Sequence, residues 1–399
     1  MTAIAGDTLN DVCEFIVDCL HKTAPTQSEG YPSIRTPNVG RGRLILEDVN
    51  RVSEAVYQEW TQRAIPVAGD LILAREAPAG NVAVIKEGQD VCLGQRTVHL
   101  RPNRAKVDPD FLCYYLLTPK QQGILLAGET GATAGHVNMK DIRRLPLGIL
   151  PELHAQTAIA QIITSYDDLI ENNRRRIALL EEAARLLYRE WFVHFRFPGH
   201  EHVKIERGVP IGWQPRVLGD LVHVVKEMIK PSAFTEDDIH IGLEHIPRRS
   251  FTLADWEPAR DLSSGKIRFQ DGDILFCKIR PYFHKVGFAL RSGLASSDAL
   301  VWRVADQQDW PLVVCATSCD HFVAVASKTV REGSKMPRAD WNVLKKYPIP
   351  KPPDGLLATF NETVRGITSM CKTLALQNRS LVEARDLLLP RLMNGEIAV

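Results

Sequence analysis

The sequence has no run of about 18 apolar residues, so no membrane-crossing helix is expected. Its start, Met1-Thr2-Ala3-Ile4-Ala5-Gly6-Asp7, is neither basic nor followed by a long apolar stretch. No signal peptide is expected, and the expected location is the cytoplasm. Eight cysteines are scattered along the chain, too loosely for a disulfide framework, and read as reduced thiols. Cys315, Cys319 and His321 form the one cluster, but it lacks a second half at zinc-ribbon spacing and sits beside an apolar segment. It reads as buried thiols, with no metal expected. There is no Gly-x-x-x-x-Gly-Lys-Ser/Thr phosphate loop, no glycine-rich nucleotide turn and no Asn-Pro-Pro-Tyr-type motif of adenine methylation. These absences argue against a nucleotide-driven or methyl-transferring enzyme. An excess of one charge is missing too: 49 Lys and Arg face 48 Asp and Glu. A polyanionic partner would therefore need basic residues gathered on one face.

What is present is a duplication. The chain has 399 residues and is 45% hydrophobic, enough for more than one core. Ala68-Gly69-Asp70-Leu71-Ile72-Leu73 returns as Asp271-Gly272-Asp273-Ile274-Leu275-Phe276, with Asp70 and Asp273 203 positions apart. Ile142-Arg143-Arg144-Leu145-Pro146-Leu147 returns after 202 positions as Leu344-Lys345-Lys346-Tyr347-Pro348-Ile349. Leu180-Glu181-Glu182-Ala183-Ala184-Arg185-Leu186-Leu187 returns after 201 as Leu381-Val382-Glu383-Ala384-Arg385-Asp386-Leu387-Leu388. Three anchors in one order at nearly one shift define a tandem repeat of about 200 residues. Each copy opens with short β-rich runs, such as residues 81–85, 97–100, 286–290 and 300–304, punctuated by Gly, Pro and Asp. A Pro-containing hinge follows, and then a long helix.

The first long helix is expected over about residues 152–192. Its seam alternates steps of four and three through Ile159, Ile163, Tyr166, Ile170, Asn173, Ile177, Leu180, Ala184, Leu187 and Trp191. The second seam runs Leu357, Phe360, Val364, Ile367, Cys371, Leu374, Asn378, Leu381, Arg385, Leu388 and Leu392. A period of 3.5 residues kept over several heptads is that of a coiled coil. Each seam holds one asparagine, a residue that costs stability and specifies register. Facing Asn173 with Asn378 in an antiparallel pair brings Ile177 to Leu374, Ile170 to Leu381, Ile163 to Leu388, Leu187 to Val364 and Trp191 to Phe360. At about 1.5 Å per residue each helix is a rod of roughly 60 Å, suited to holding two sites at a set separation.

Several stretches carry a family resemblance. They include Gly69-Asp70-Leu71-Ile72-Leu73-Ala74-Arg75-Glu76-Ala77-Pro78-Ala79-Gly80-Asn81, Cys92-Leu93-Gly94-Gln95-Arg96, Leu100-Arg101-Pro102, Leu187-Tyr188-Arg189-Glu190-Trp191-Phe192, Pro210-Ile211-Gly212-Trp213 and Leu389-Pro390-Arg391-Leu392-Met393-Asn394-Gly395-Glu396-Ile397. With them the sequence resembles the specificity subunit of type I restriction–modification enzymes. The resemblance implies an α+β fold: two globular α/β target-recognition domains in tandem, separated by two long helices forming an antiparallel coiled coil. The expected divisions are residues 1–150 and 195–353 for the two domains, 151–194 and 354–394 for the helices, and 395–399 for the tail. The resemblance also implies that each domain reads one half of an interrupted target in double-stranded DNA. The helices would dock two modification (methyltransferase) subunits, joined by restriction subunits that translocate and cut DNA with ATP. S-adenosylmethionine, ATP and Mg would belong to those partners, and this chain would be non-catalytic with no cofactor of its own. A coiled-coil scaffold that binds proteins without reading DNA is the alternative.

DNA contact calls for Arg or Lys at phosphates and for Arg, Lys, Asn, Gln, Ser or Thr at base edges. In the second copy the candidates are Lys278 and Arg280 after the repeated Gly-Asp strand, and Ser334, Lys335 and Arg338 in a Gly- and Pro-shaped loop. In the first copy they are Arg75, Gln95 and Arg96, with Thr133, His136 and Asn138 in the matching loop. Arg174-Arg175-Arg176 reads instead as the solvated edge of the coiled coil.

Overall fold

The computed structural model describes residues 6–127, 136–260, 262–329, 337–397 and 399. The chain divides into two units, Met1–Asp168 with Val382–Val399, and Leu169–Leu381.

The first unit is built on a five-stranded sheet in the order Cys13–Asp18, Thr97–Pro102, Leu71–Ala74, Val82–Val84, Gly42–Arg43. All its pairings are antiparallel except the last. Strand Leu71–Ala74 is wholly buried, which suits its unbroken apolar sequence. A second sheet, ordered Arg51–Val52, Tyr31–Ile34, Cys92–Leu93, contains one antiparallel and one parallel pair. Helices Pro109–Leu116 and Pro119–Leu126 follow. Each begins with proline after a residue whose side chain caps it, Asp108 through the Phe111 amide and Thr118 through that of Gln121. Proline has no amide to leave unpaired there, and the cap satisfies one of the exposed donors. The short helix Met139–Arg143 comes after them, and helix Glu54–Trp60 lies earlier in the chain.

The second unit repeats this plan. Its first sheet runs Val222–Val224, Ala299–Val304, Ile274–Cys277, Val286–Ala289, Thr252–Leu253, again with only the last pair parallel. Its second sheet is larger, in the order Met228–Ile229, Lys266–Phe269, Gly293–Ala295, Ile239–Ile241, Glu257–Pro258. Helices Trp310–Thr317, Asp320–Lys328 and Trp341–Leu344 match Pro109–Leu116, Pro119–Leu126 and Met139–Arg143 of the first unit. Trp302, Phe276 and Phe322 sit at the centre of its core.

Cys315 lies fully buried in helix Trp310–Thr317, where burial pushes its thiol up to about 12. His321 Nδ1 meets the Tyr347 hydroxyl at 2.9 Å. The sequence segments read as hinges are held at their start: Pro146–Gly148 pairs with Asp7–Thr8, and Pro348 bridges Val217.

The two long helices are Leu153–Tyr188, continued by a π-helical turn at Arg189–Val193, and Asp354–Met393. They are called the central and distal helices below. Within the second unit they pair antiparallel: Asn173 Nδ2 donates to Asn378 Oδ1 at 3.0 Å, and Asn378 Nδ2 donates to the Ile170 carbonyl at 3.2 Å. Trp191 packs on Phe360 with ring centroids 5.8 Å apart. Within the first unit Ile163 and Leu388 share one core, and Arg385 donates to Asp167 at 2.5 Å. Among the described residues, no single helix is long and apolar enough to cross a membrane.

Candidate nucleic-acid interface

One backbone frame recurs in both units. In the first, Arg75 follows strand Leu71–Ala74; its amide donates to the Arg96 carbonyl at 2.9 Å and its carbonyl accepts from the Val137 amide at 3.1 Å. In the second, Lys278 follows strand Ile274–Cys277; its amide donates to the Asp298 carbonyl at 3.2 Å and its carbonyl accepts from Ala339 at 2.8 Å. Three positions therefore correspond: Arg75 with Lys278, Arg96 with Asp298, and His136 with Arg338.

The side chains hung on this frame differ. In the first unit Arg75 is 7% exposed. Its Nε donates to the Val137 carbonyl at 2.9 Å, its Nη2 to His136 Nε2 at 2.7 Å, and its Nη1 lies 3.6 Å from Asp18. Arginine can only donate, so His136 Nε2 presents a lone pair and Nδ1–H is the proton-bearing nitrogen. That nitrogen donates to Glu76 Oε1 at 2.8 Å, while Arg96 Nε meets Glu76 Oε2 at 2.9 Å. His136 and Arg96 thus both meet Glu76, with buried Arg75 behind His136 and Arg96, its side chain 56% exposed, outside. Gln95, its neighbour in the chain, lines a small cleft with Thr26, Ser33, Arg35 and Asn50. Asn138 stands at the head of helix Met139–Arg143, its Nδ2 3.3 Å from Asp141 Oδ2.

In the second unit the acid is Asp298. Lys278 Nζ lies 3.6 Å from its Oδ1 and donates to the Ser297 carbonyl at 2.7 Å; Arg338 Nη2 reaches the same Oδ1 at 3.1 Å. Arg280 is exposed, in a left-handed backbone conformation, and its amide donates to the Pro337 carbonyl at 2.8 Å. Thr133, Ser334 and Lys335 lie outside the described residues.

Neither acid stands out in the sequence, where DNA contact points to cations and these carboxylates have no local signature. Glu76 has Ile279 as its counterpart, and Asp298 has Arg96. At one position of a constant frame a base in the first unit, Arg96, is replaced by an acid in the second, Asp298, while the first unit's own acid, Glu76, corresponds to an apolar residue. Such a frame offers two different arrays of donors and acceptors, which is what direct reading of base edges requires.

Among the described residues, His240, His245 and Glu257 bring potential metal ligands within 4.8 Å of one another. The geometry does not favour three free lone pairs. The Gly242 amide already donates to His245 Nδ1 at 3.0 Å, which makes Nε2 the protonated nitrogen, and His240 Nδ1 is 2.8 Å from Glu257.

Comparison with known proteins agrees with this repeated architecture. Residues 7–182 match the family described as Type I restriction modification DNA specificity domain. The chain is 23% identical over 379 residues to the type I restriction enzyme MjaIX specificity subunit of Methanocaldococcus jannaschii, covering 87% of this chain and 82% of that protein. It is 22% identical to the HindI specificity subunit of Haemophilus influenzae, covering 92% and 95% respectively. The crystal structure of the type I restriction–modification S subunit from M. genitalium shares the fold, with a TM-score of 0.59 at 13% identity over 97% of this chain and 95% of that one. Residues 7–182 thus match a type I DNA specificity domain, and the chain is similar over most of its length to type I restriction–modification specificity subunits.

Proposed function

We propose that this chain is the non-catalytic, DNA-reading subunit of a type I restriction–modification complex, with each unit reading one half of an interrupted duplex target. The observation that carries the reading is the doubled frame: Arg96 and His136 on Glu76, backed by Arg75, in one unit, and Lys278 and Arg338 around Asp298 in the other. A duplication that kept its backbone and rearranged its polar side chains suits two half-sites of different sequence. Arg96, His136, Lys278, Arg280 and Arg338 are the proposed contact residues, together with Gln95, Asn138, Thr133, Ser334 and Lys335. Buried Arg75 is a positioning residue that holds the His136 ring. The proposed division 1–150, 151–194, 195–353, 354–394 and 395–399 follows the same logic. Two modification subunits would dock on the long helices, restriction subunits would join them, and S-adenosylmethionine, ATP and Mg would be bound by those partners.

The test is binding of the full chain with its modification partner to duplexes in which each half-site is varied separately. Glu76→Gln and Arg96→Ala should relax discrimination at one half-site by about 1–3 kcal/mol per lost base contact and leave the other unchanged. Affinity should fall steeply with added salt. Failure to prefer any interrupted site over random duplex, with salt-insensitive partner binding, would identify a protein scaffold instead.

A further inference from the structure

The hairpin between strands Ile274–Cys277 and Val286–Ala289 differs sharply from its counterpart. In the first unit the turn reads Ala77-Pro78-Ala79-Gly80; in the second it reads Arg280-Pro281-Tyr282-Phe283-His284-Lys285. Pro78 and Pro281 correspond at the repeat shift, so Tyr282 stands where the first unit has Ala79. Tyr282 is 55% exposed and is the only Phe, Tyr or Trp among the exposed large apolar residues of the described chain. Every other described Phe, Tyr and Trp is at least partly buried, as the hydrophobic effect favours.

The ring is mounted on a braced support. It meets Phe283 edge to face with centroids 4.8 Å apart. Phe283 in turn lies under the Arg248 guanidinium at 4.2 Å, with that of Arg280 at 6.0 Å. The base of the hairpin is anchored by His284, which is 5% exposed and donates from Nε2 to the Ser318 carbonyl at 2.9 Å. The Arg249 amide donates to the His284 carbonyl at 2.9 Å, tying down the neighbouring loop. Arg280 also touches the segment carrying Arg338, through the Pro337 carbonyl at 2.8 Å. The tip thus adjoins the polar cluster of its own unit. An exposed ring packed on a phenylalanine that itself carries two arginines, on a support fixed in advance, matches the pairing that nucleic acids select. Rings make apolar or stacking contact with bases, and guanidinium groups hold phosphates.

We infer that Tyr282 is a base-contacting tip of the second unit, with Arg248 and Arg280 holding the flanking phosphates, and that the first unit has no equivalent. This inference rests on the DNA-reading function proposed above. The experiment uses the full chain with its modification partner and duplexes carrying 2-aminopurine at successive positions of each half-site. Tyr282→Ala should reduce the preference for the second half-site about tenfold, the scale of one lost aromatic–base contact, and abolish a fluorescence change confined to that half-site. Tyr282→Phe should retain both effects. Arg248→Ala and Arg280→Ala should weaken specific and random duplexes alike and each lower the salt slope by about one. Tyr282 is exposed, so an unchanged melting temperature should accompany these losses. If Tyr282→Ala binds and fluoresces like the parent while the parent prefers an interrupted site, the tip assignment is wrong and the DNA reading stands. If the parent prefers no site, both fail.

Discussion

Asp70 and Asp273 hold the same turn in the two units, and the groups around them differ by one imidazole. Asp273 accepts from Arg303 at 2.9 and 2.7 Å and from the Gln270 amide at 2.8 Å. Asp70 accepts from Arg101 at 2.9 and 2.8 Å, from the Val67 amide at 3.0 Å, and also meets His99 at 2.6 Å. Burial pushes the Asp70 carboxyl up, but the hydrogen bonds from Arg101 and His99 outweigh it and hold it at about 2. A carboxyl depressed in the fold stabilises it above the ordinary value of 3.8 and loses that contribution as pH falls from there toward 2. The loss is on the order of 2 kcal/mol. Hydrogen-exchange protection of strand Leu71–Ala74 should therefore drop more steeply between pH 4 and pH 2 in the parent than in Asp70→Asn. Parallel curves would show that this network contributes nothing to acid sensitivity. The repeated Gly-Asp motif was legible in the sequence; that its aspartate is a buried anchor for an arginine on the next strand was not. The partners stand 31 and 30 residues away, and nothing local announces them.

At the scale of elements, the central and distal helices carry polar groups in an apolar seam. The Asn173–Asn378 pair is 8% exposed at Asn173 and satisfies itself across the helices. Asn173→Leu alone leaves Asn378 short of a buried partner and should destabilise the second unit by about 1–2 kcal/mol. Asn173→Leu with Asn378→Leu removes both polar groups, so it should recover or exceed the parent's stability while loosening register. Thermal melts of the three variants test the first point and cysteine cross-linking between the helices tests the second. A double variant as unstable as the single one would contradict this account. The 3.5-residue spacing and the two asparagines were open to sequence reasoning because a seam is periodic. Glu181 was not. It is 2% exposed and accepts from Ser250 Oγ, the Phe251 and Thr252 amides and Thr252 Oγ1, at 2.6 to 3.2 Å, fastening the edge strand Thr252–Leu253 to the central helix. In the sequence it is one more glutamate on a charged helix. Only the arrival of the strand end turns it into a buried acceptor.

For the molecule as a whole, the proposed two-site reading makes helix length a functional quantity. One heptad added at matching places in both helices lengthens each by about 10 Å, close to three base pairs of duplex. The spacer tolerated between half-sites should change by that amount while the half-site sequences stay the same, which selection of bound duplexes from a randomised pool would reveal. An unchanged spacer would remove helix length from the mechanism. By itself the sequence determined the duplication, the order of elements within each copy, the long helices and the facing asparagines. All of these are written in local periodicity or in similarity along the chain, and need no knowledge of distant neighbours. Tertiary structure alone decided that Arg75 is enclosed, that Glu76 and Asp298 collect the cations around them, and that Tyr282 is left outside. Each of those outcomes depends on which backbone comes to lie beside a side chain, and burial, pairing and exposure are properties of that meeting.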